Sequence, residues 1–464
     1  MNARMVRTLL AAALLAVQAA TPALAQAGRP SAVLFRDVDV VSMERPQVDA
    51  RRDVLVQDGR IARIGPAGSV QAPQQAHIVD GRGRYLMPGL AEMHAHLPSP
   101  PRESDSYDVL LLYLAHGVTT IRGMLGHPWH LELKERLARH EVLGPRLFTA
   151  GPSFNGQSAP TVERAVAMVR EQKAAGYDFL KLHPGLSREV FDAIARAAGE
   201  AGIPFEGHVS EDVGVHRALE ARQRAIDHLD GYMQALGDPQ CLERAGAVGI
   251  FGLAVSHCAD PARIPELVER TRAAGTWMVP TQILLEQWAI PPGEEELRSR
   301  PVMRYLPPQT VERWQSALRN FVGPNPPSRQ DAQRFLELRR ELIRRMHRAG
   351  VPIALGSDAP QVFNAPGDSA LEELHLYTQI GLSPFEALQT ATVNPARFFG
   401  AADRFGAVRE GLEADLLLVE ANPLEDVRAV RRLAGVMVRG RWLSRAELDE
   451  RLEALSRRVD SATP

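Results

Sequence analysis

Two histidines one residue apart, His94 and His96, close the run Tyr85-Leu-Met-Pro-Gly-Leu-Ala-Glu-Met-His94-Ala-His96. On a β-strand the two-residue repeat puts both imidazoles on one face, with Ala95 turned away. Such a fork can hold a metal ion, although an isolated His-x-His is more often two unrelated side chains at a strand exit. Leu97-Pro-Ser-Pro-Pro101 cannot continue a sheet ladder, so the pair sits at a strand's C-terminal end. The remaining ligands must come from elsewhere in the chain.

Short apolar runs recur at 85–95, 117–124, 146–152, 178–183, 203–209, 224–229, 276–281 and 351–356. Amphipathic stretches separate them, among them 161–175, 187–201, 263–274 and 331–349. Ala-Gly pairs at Gly176, Gly202, Gly275 and Gly350 mark helix C-termini, and Thr161 and Ser187 are placed as N-caps. Eight strand-then-helix units over about 300 residues predict a (β/α)8 TIM barrel, with a doubly wound sheet as the alternative. Further strands at 33–41, 53–57, 60–65, 415–420 and 435–441 predict a small β-sandwich built from both ends, with Asp58-Gly59 as a hairpin turn. The resulting division is sandwich 26–84, barrel 85–400, sandwich 401–445 and a C-terminal tail 446–464.

Barrels collect their chemistry at the C-terminal ends of the strands. Those ends carry His94 and His96, Lys181, His208, His228 and Asp358. Singly, each has a bland explanation: a core histidine, a helix N-cap, a snorkelling lysine. Six together suit a pair of divalent ions about 3.5–4 Å apart, able to activate water and polarise a carbonyl. The lysine is the odd member, since an ammonium repels metal.

The 464-residue chain balances 54 basic against 56 acidic side chains, which gives no electrostatic footprint for nucleic acid. Arg4 and Arg7, the apolar run Leu9–Val17 and Ala23-Leu-Ala25 form a signal peptide over residues 1–25, with cleavage after Ala25. The apolar run is short for a span of roughly 20 residues, and no later stretch is apolar enough to span a bilayer. A periplasmic or secreted protein with no membrane span is therefore expected. Cys241 and Cys258 are the only cysteines; a disulfide and two free thiols are equally open readings.

The strand-end set resembles the binuclear metal branch of the amidohydrolase superfamily, over nearly all of the chain beyond residue 25. Met87–His96, Gly117–Arg122, Gly356-Ser-Asp358, Ala391–Ala396 and Gly411–Leu416 are similar to that family's segments. The resemblance implies that His94, His96 and Asp358 bind the more buried ion and that His208 and His228 bind the more exposed one. It further implies that carbon dioxide converts Lys181 into a carbamate bridging two divalent ions, with zinc as the expected metal. A metal-activated hydroxide would attack, and Asp358 would move its proton to the leaving nitrogen.

Imidazolonepropionase-like and Xaa-Pro dipeptidase-like members are the most similar, which implies a small-molecule amide substrate such as a dipeptide or N-acyl amino acid. The same centre could open lactones, esters or phosphotriesters; a metal-binding protein without turnover is a third reading. Arg122 and Tyr232 follow strands two and six, and His183 shares a strand face with Lys181, so these three are candidate substrate contacts. The insertion 287–329, with Trp288, Arg304, Tyr305 and Trp314, reads either as a lid whose arginine clamps a carboxylate or as a surface excursion. A homo-oligomer is compatible with all of this.

Overall fold

The computed structural model describes residues 32–100, 103–246, 248–322 and 327–461. The expected signal peptide lies outside them. Among the described residues no helix is long and apolar enough to cross a membrane.

An eight-stranded sheet draws on both ends of the chain. Its members are β1 (Ala32–Val41), β2 (Val48–Gln57), β3 (Arg60–Pro66), β4 (His77–Asp80) and β5 (Tyr85–Pro88) from the first part. Seven further strands, β6 (Leu90–Ala95), β7 (Val118–Gly123), β8 (Arg146–Thr149), β9 (Leu180–Leu182), β10 (Phe205–Gly207), β11 (Ala225–Asp227) and β12 (Trp277–Val279), lie outside this sheet. It is completed by β13 (Leu416–Val419), β14 (Leu433–Val438) and β15 (Arg441–Ser444), in the order β15-β14-β13-β5-β1-β2-β3 with β4 beside β1. Asp58 and Gly59, both at positive φ, turn β2 into β3 so that Gln57 faces Arg60. The two-residue repeat divides β13 between two cores: Leu416 and Leu418 pack with Phe35 and Val54, while Leu417 and Val419 pack onto the body of the protein.

Two differences from the expected boundaries stand out. The run 85–95 is broken at Gly89, whose N–H donates to Asp415 O, so Tyr85–Pro88 pairs with β1 and β13 in the terminal sheet. The C-terminal tail is a helix over Arg445–Ser461 that buries Leu448, Leu452 and Leu455.

The parallel strands form a three-stranded sheet, β6-β7-β8, and a four-stranded one, β12-β11-β10-β9. Single bridges link β8 to β9, through Ala150–Phe179 and Phe154–Leu182. Met278–Ile353 and Ala95–Ala359 join the segment around 353–359 to β12 and to β6. The whole is a mixed α/β assembly with a curled parallel sheet. Helices on its outside are held by amphipathic faces: Arg188–Ala201 buries Val190, Phe191, Ile194 and Ala197, each large side chain contributing roughly 1.5–3 kcal/mol. Thr161 and Ser187 cap their helices as N-caps, accepting from Arg164 N and Val190 N, and Gly176 and Gly202 end them in left-handed conformation.

Charged groups fill part of the space enclosed by these strands. Arg122 is wholly buried, 2.7 Å from Asp227 and 3.2 Å from Glu206, with its ring-like guanidinium over Phe398. Arg122 is therefore a buried ion-pair centre and not a substrate contact.

Candidate metal centre

The ends of β6, β9, β10 and β11, with the segment after Ile353, bring six side chains together. His94 and His96 both direct Nε2 at Asp358 Oδ1, at 3.5 and 2.6 Å. The His228 ring lies 4.6 Å from the rings of both His94 and His208, centroid to centroid. Lys181, on β9, is fully buried with Nζ 3.3 Å from Asp227, whose same oxygen is 3.3 Å from His94 Nδ1. Two glycines make this crowding feasible. A Cβ on Gly356 would stand 3.0 Å from His94 Cβ, and one on Gly207 would stand 2.8 Å from Lys181 Cδ.

The imidazoles are aimed by a surrounding layer. His228 Nδ1 is 2.7 Å from Thr281 Oγ1, and that hydroxyl donates to Pro280 O. The hydroxyl can therefore only accept from Nδ1–H, which leaves Nε2 as a bare lone pair. His228 Nε2 is buried and has no hydrogen-bond partner. An orphaned acceptor among His94, Asp358 and His208 is what a cation site requires, and the nitrogen and oxygen donors present suit zinc and its neighbours. His208 Nδ1 is fixed likewise by Asp230 at 2.7 Å. Gln361 donates to Asp358 Oδ2, and Glu92 accepts from His94 N, Ser357 N and Ser357 Oγ, tying the segments of His94 and Asp358 together.

Burial sets the protonation states. It takes His94 down to about 4 and, with His208 and His94 alongside, holds His228 well below its usual value, so both imidazoles are neutral at neutral pH. Burial also lowers Lys181, against the pull of Asp227 and Asp358. Asp358 is pushed up by burial but held below the usual carboxylate range by His94 and His96.

Of the expected substrate contacts, His183 lies beside the centre. Its ring is half-buried and 4.9 Å from that of His208. Tyr232 does not: it is fully buried, with its hydroxyl 2.8 Å from Thr271 and facing Met278, so packing and not recognition fixes it. Arg304, in the insertion, stacks on Tyr305 and bonds Ser456 of the C-terminal helix. Cys241 and Cys258 form a disulfide, which also takes up the thiols of a second donor group with His257. The supporting residues Thr281, Asp230, Glu92 and Gln361 carry no spacing signal; Glu92 and Asp230 alone were visible as acids within two residues of a ligand histidine.

The model of the amidohydrolase family matches residues 85–443. The chain belongs to this family. It is 26% identical over 418 residues to an adenine deaminase of Rubrobacter xylanophilus, covering 88% of this chain and 57% of the deaminase. It is 24% identical over 408 residues to an imidazolonepropionase of Stenotrophomonas maltophilia, covering 85% and 92%. A solved putative prolidase of Bifidobacterium longum superposes with a TM-score of 0.67 at 24% identity, covering 92% of this chain and all of that one. The chain thus spans little more than half the length of the deaminase, and the prolidase likeness is one of fold.

Proposed function

We propose that this family member is a metal-dependent hydrolase of carbon–nitrogen bonds, cleaving a dipeptide, an N-acyl amino acid or a related small amide. The curated relatives named adenine deaminase and imidazolonepropionase favour a C–N bond as the target. The observation that carries the reading is the buried lone pair on His228 Nε2 amid His94, His208 and Asp358. We read the curled parallel sheet as a (β/α)8 barrel with its C-terminal strand ends at this site, and the terminal sheet as the accompanying sandwich. Export rests on the sequence of residues 1–25.

Two divalent ions, zinc by preference, would be held by His94, His96 and Asp358 and by His208 and His228, with Lys181 between them as a carbamate. Bound there, they supply Lewis-acid activation of a water and of the carbonyl. The chain's own residues do the rest. Burial lowers the basicity of Lys181, which favours the amine form that carbon dioxide needs, and Gly207 leaves the space beside it. Asp358 is ionised at neutral pH, so it can take a proton from the attacking water and return it to the departing nitrogen. Gln361 fixes one carboxylate oxygen while the other faces the two histidines. His183, half-buried beside His208, is in reach of a substrate polar group.

The test is product release by zinc- and bicarbonate-treated protein from dipeptide and N-acyl amino acid libraries, and from lactone and phosphotriester libraries, beside Asp358→Asn. Free amine from the first pair, absent in the variant, is expected. Turnover confined to the second pair moves the assignment to ester or phosphotriester hydrolysis. No turnover with zinc bound sinks the enzymatic reading.

A further inference from the structure

The segment Ile250–Cys258 crosses the mouth of the centre and plays no part in holding the proposed metals. Phe251 sits there with φ 54° and ψ 23°, a left-handed conformation that a phenylalanine adopts only when its surroundings impose it. Its ring centroid is 4.9 Å from that of His228 and 6.4 Å from that of His208, nearly parallel to the latter at 17°. The Trp288 ring stands 6.2 Å from it. His183, His208, Phe251 and Trp288 therefore form a row of flat rings, each only half-buried, along the accessible flank of a centre whose other ligands His94, His228, Lys181 and Asp358 are buried.

The C-terminal end of this segment is tied down by a frame independent of the histidines. Cys258 is bridged to Cys241, with Cα atoms 5.5 Å apart. Asp238 N donates to Cys258 O, and Asp260 N donates to Leu236 O. Arg334, from the helix Arg329–Arg348, donates to Ser256 O and Ala259 O. A covalent clip, two backbone bonds and an arginine thus anchor the C-terminal end of the segment that carries this half-buried ring. The ring packs partly against the main core and keeps a part of its surface accessible beside the centre.

We infer that Phe251, backed by Trp288, is an aromatic subsite that receives an aromatic or large apolar side chain of the substrate next to the bond being cleaved. This rests on the amide-hydrolase reading, and it names the substrate class within it. An aromatic side chain packed offset against a ring of this row would gain roughly 3- to 10-fold in affinity per aromatic pair. Loops beyond the strands carry specificity in folds of this kind, and this segment follows β11.

The experiment compares benzylphosphonate with methylphosphonate, two inert anions sharing one metal-binding headgroup, by calorimetry on the zinc-loaded full chain. Benzylphosphonate should bind about tenfold more tightly, and Phe251→Ala should bring the two within about threefold. Phe251→Leu, which keeps apolar volume without the ring, and Trp288→Ala should give intermediate ratios. Zinc content and melting temperature show that the variants are folded. Equal binding of both anions, binding of neither, or a preference that survives Phe251→Ala and Trp288→Ala overturns the subsite. In parallel, kcat/KM for N-acetylphenylalanine over N-acetylalanine should fall by a similar factor in Phe251→Ala. A benzyl preference without hydrolysis of any amide refutes the activity and leaves the subsite standing.

Discussion

Replacing Thr281 by valine removes one hydroxyl from the layer behind the metal ligands and almost nothing else. The two side chains have the same shape, so the packing and the left-handed backbone at φ 46° are retained. What disappears is the acceptor 2.7 Å from His228 Nδ1. Without it the imidazole proton is free to sit on Nε2, the nitrogen that must be bare to bind metal. Loss of such an outer partner costs 10- to 100-fold in metal affinity, about 1.4–2.7 kcal/mol. A buried Nδ1–H left unpaired adds about 1–3 kcal/mol of instability. Zinc affinity measured by competition with a chelator should therefore fall by that factor in Thr281→Val, with a lower melting temperature. Thr281→Ser keeps the hydroxyl and should stay within about threefold of the parent. Unchanged zinc affinity in the valine variant would refute the tautomer argument. An equal loss in the serine variant would show that shape, not the hydrogen bond, matters.

Arg339 is fully buried and donates to His228 O, Pro280 O and Gln282 Oε1 at 2.6, 2.9 and 2.8 Å. Arg339→Met should cost about 3–5 kcal/mol in urea unfolding, and a loss under 1 kcal/mol would contradict the role assigned to it. Burial holds His130 at about 4 against an ordinary 6.5, so between those values the unfolded chain binds a proton that the folded one does not. That side chain makes stability rise with pH through the window by up to about 1.4 kcal/mol per unit. Glu373, pushed up to about 7 by burial, has the opposite sign: it costs stability as pH rises from 4.5 to 7. His130→Gln isolates the first effect, and its slope between pH 4 and 6.5 should be shallower by that amount; an unaltered slope rules the shift out. Carbon-13 bicarbonate should give a carbamate resonance in the zinc-loaded protein and none in Lys181→Met, whose zinc content should drop. If bicarbonate changes neither signal nor zinc content, Lys181 is not carbamylated.

What could be read from the sequence was whatever sits on a single element. The hairpin at Asp58-Gly59 and the caps at Thr161 and Ser187 depend on neighbours within a few residues, and the structure has all three. His94, His96, His208, His228 and Asp358, which the structure brings together, were visible because each is a polar residue closing an apolar run. Arg122 and Tyr232 satisfied the same rule and proved misleading. Arg122 turns inward because Glu206 and Asp227, 84 and 105 residues away, give its charge a partner in a dry interior. One signal was available: Arg122, Glu206, Asp227 and Lys181 are charged residues inside apolar runs, and buried charges come in compensated sets. Tyr232 failed because a phenol at the start of a short helix can find its partner on another helix, here Thr271. Thr281 and Arg339 could not be read at all, since their roles exist only once separate segments have met.

Backbone strain at the centre has a common support. Thr281 and His228 follow the last residues of β12 and β11 closely, and they and Asp358 stand at φ 46°, 61° and 64°. Each such non-glycine residue costs of order 1–3 kcal/mol, so the turns persist only if something outside them enforces the geometry. For two of the three, that something is one guanidinium. Arg339 holds the carbonyl of His228 and the carbonyl of Pro280, the residue before Thr281, from the same planar fork. It thereby sets two adjacent strand exits at the angle that aims imidazole and hydroxyl at each other. Lysine, a single point charge, cannot reproduce two carbonyl bonds in fixed geometry. The third strained residue, Asp358, lacks this arginine and is held instead through Gln361, His96 and the bond from Tyr113 to Ala359 O. The two halves of the centre are therefore held by different frameworks. The half carrying His228 depends on one buried cation, whereas the half carrying Asp358 is held by several separate bonds, two of them to its own carboxylate.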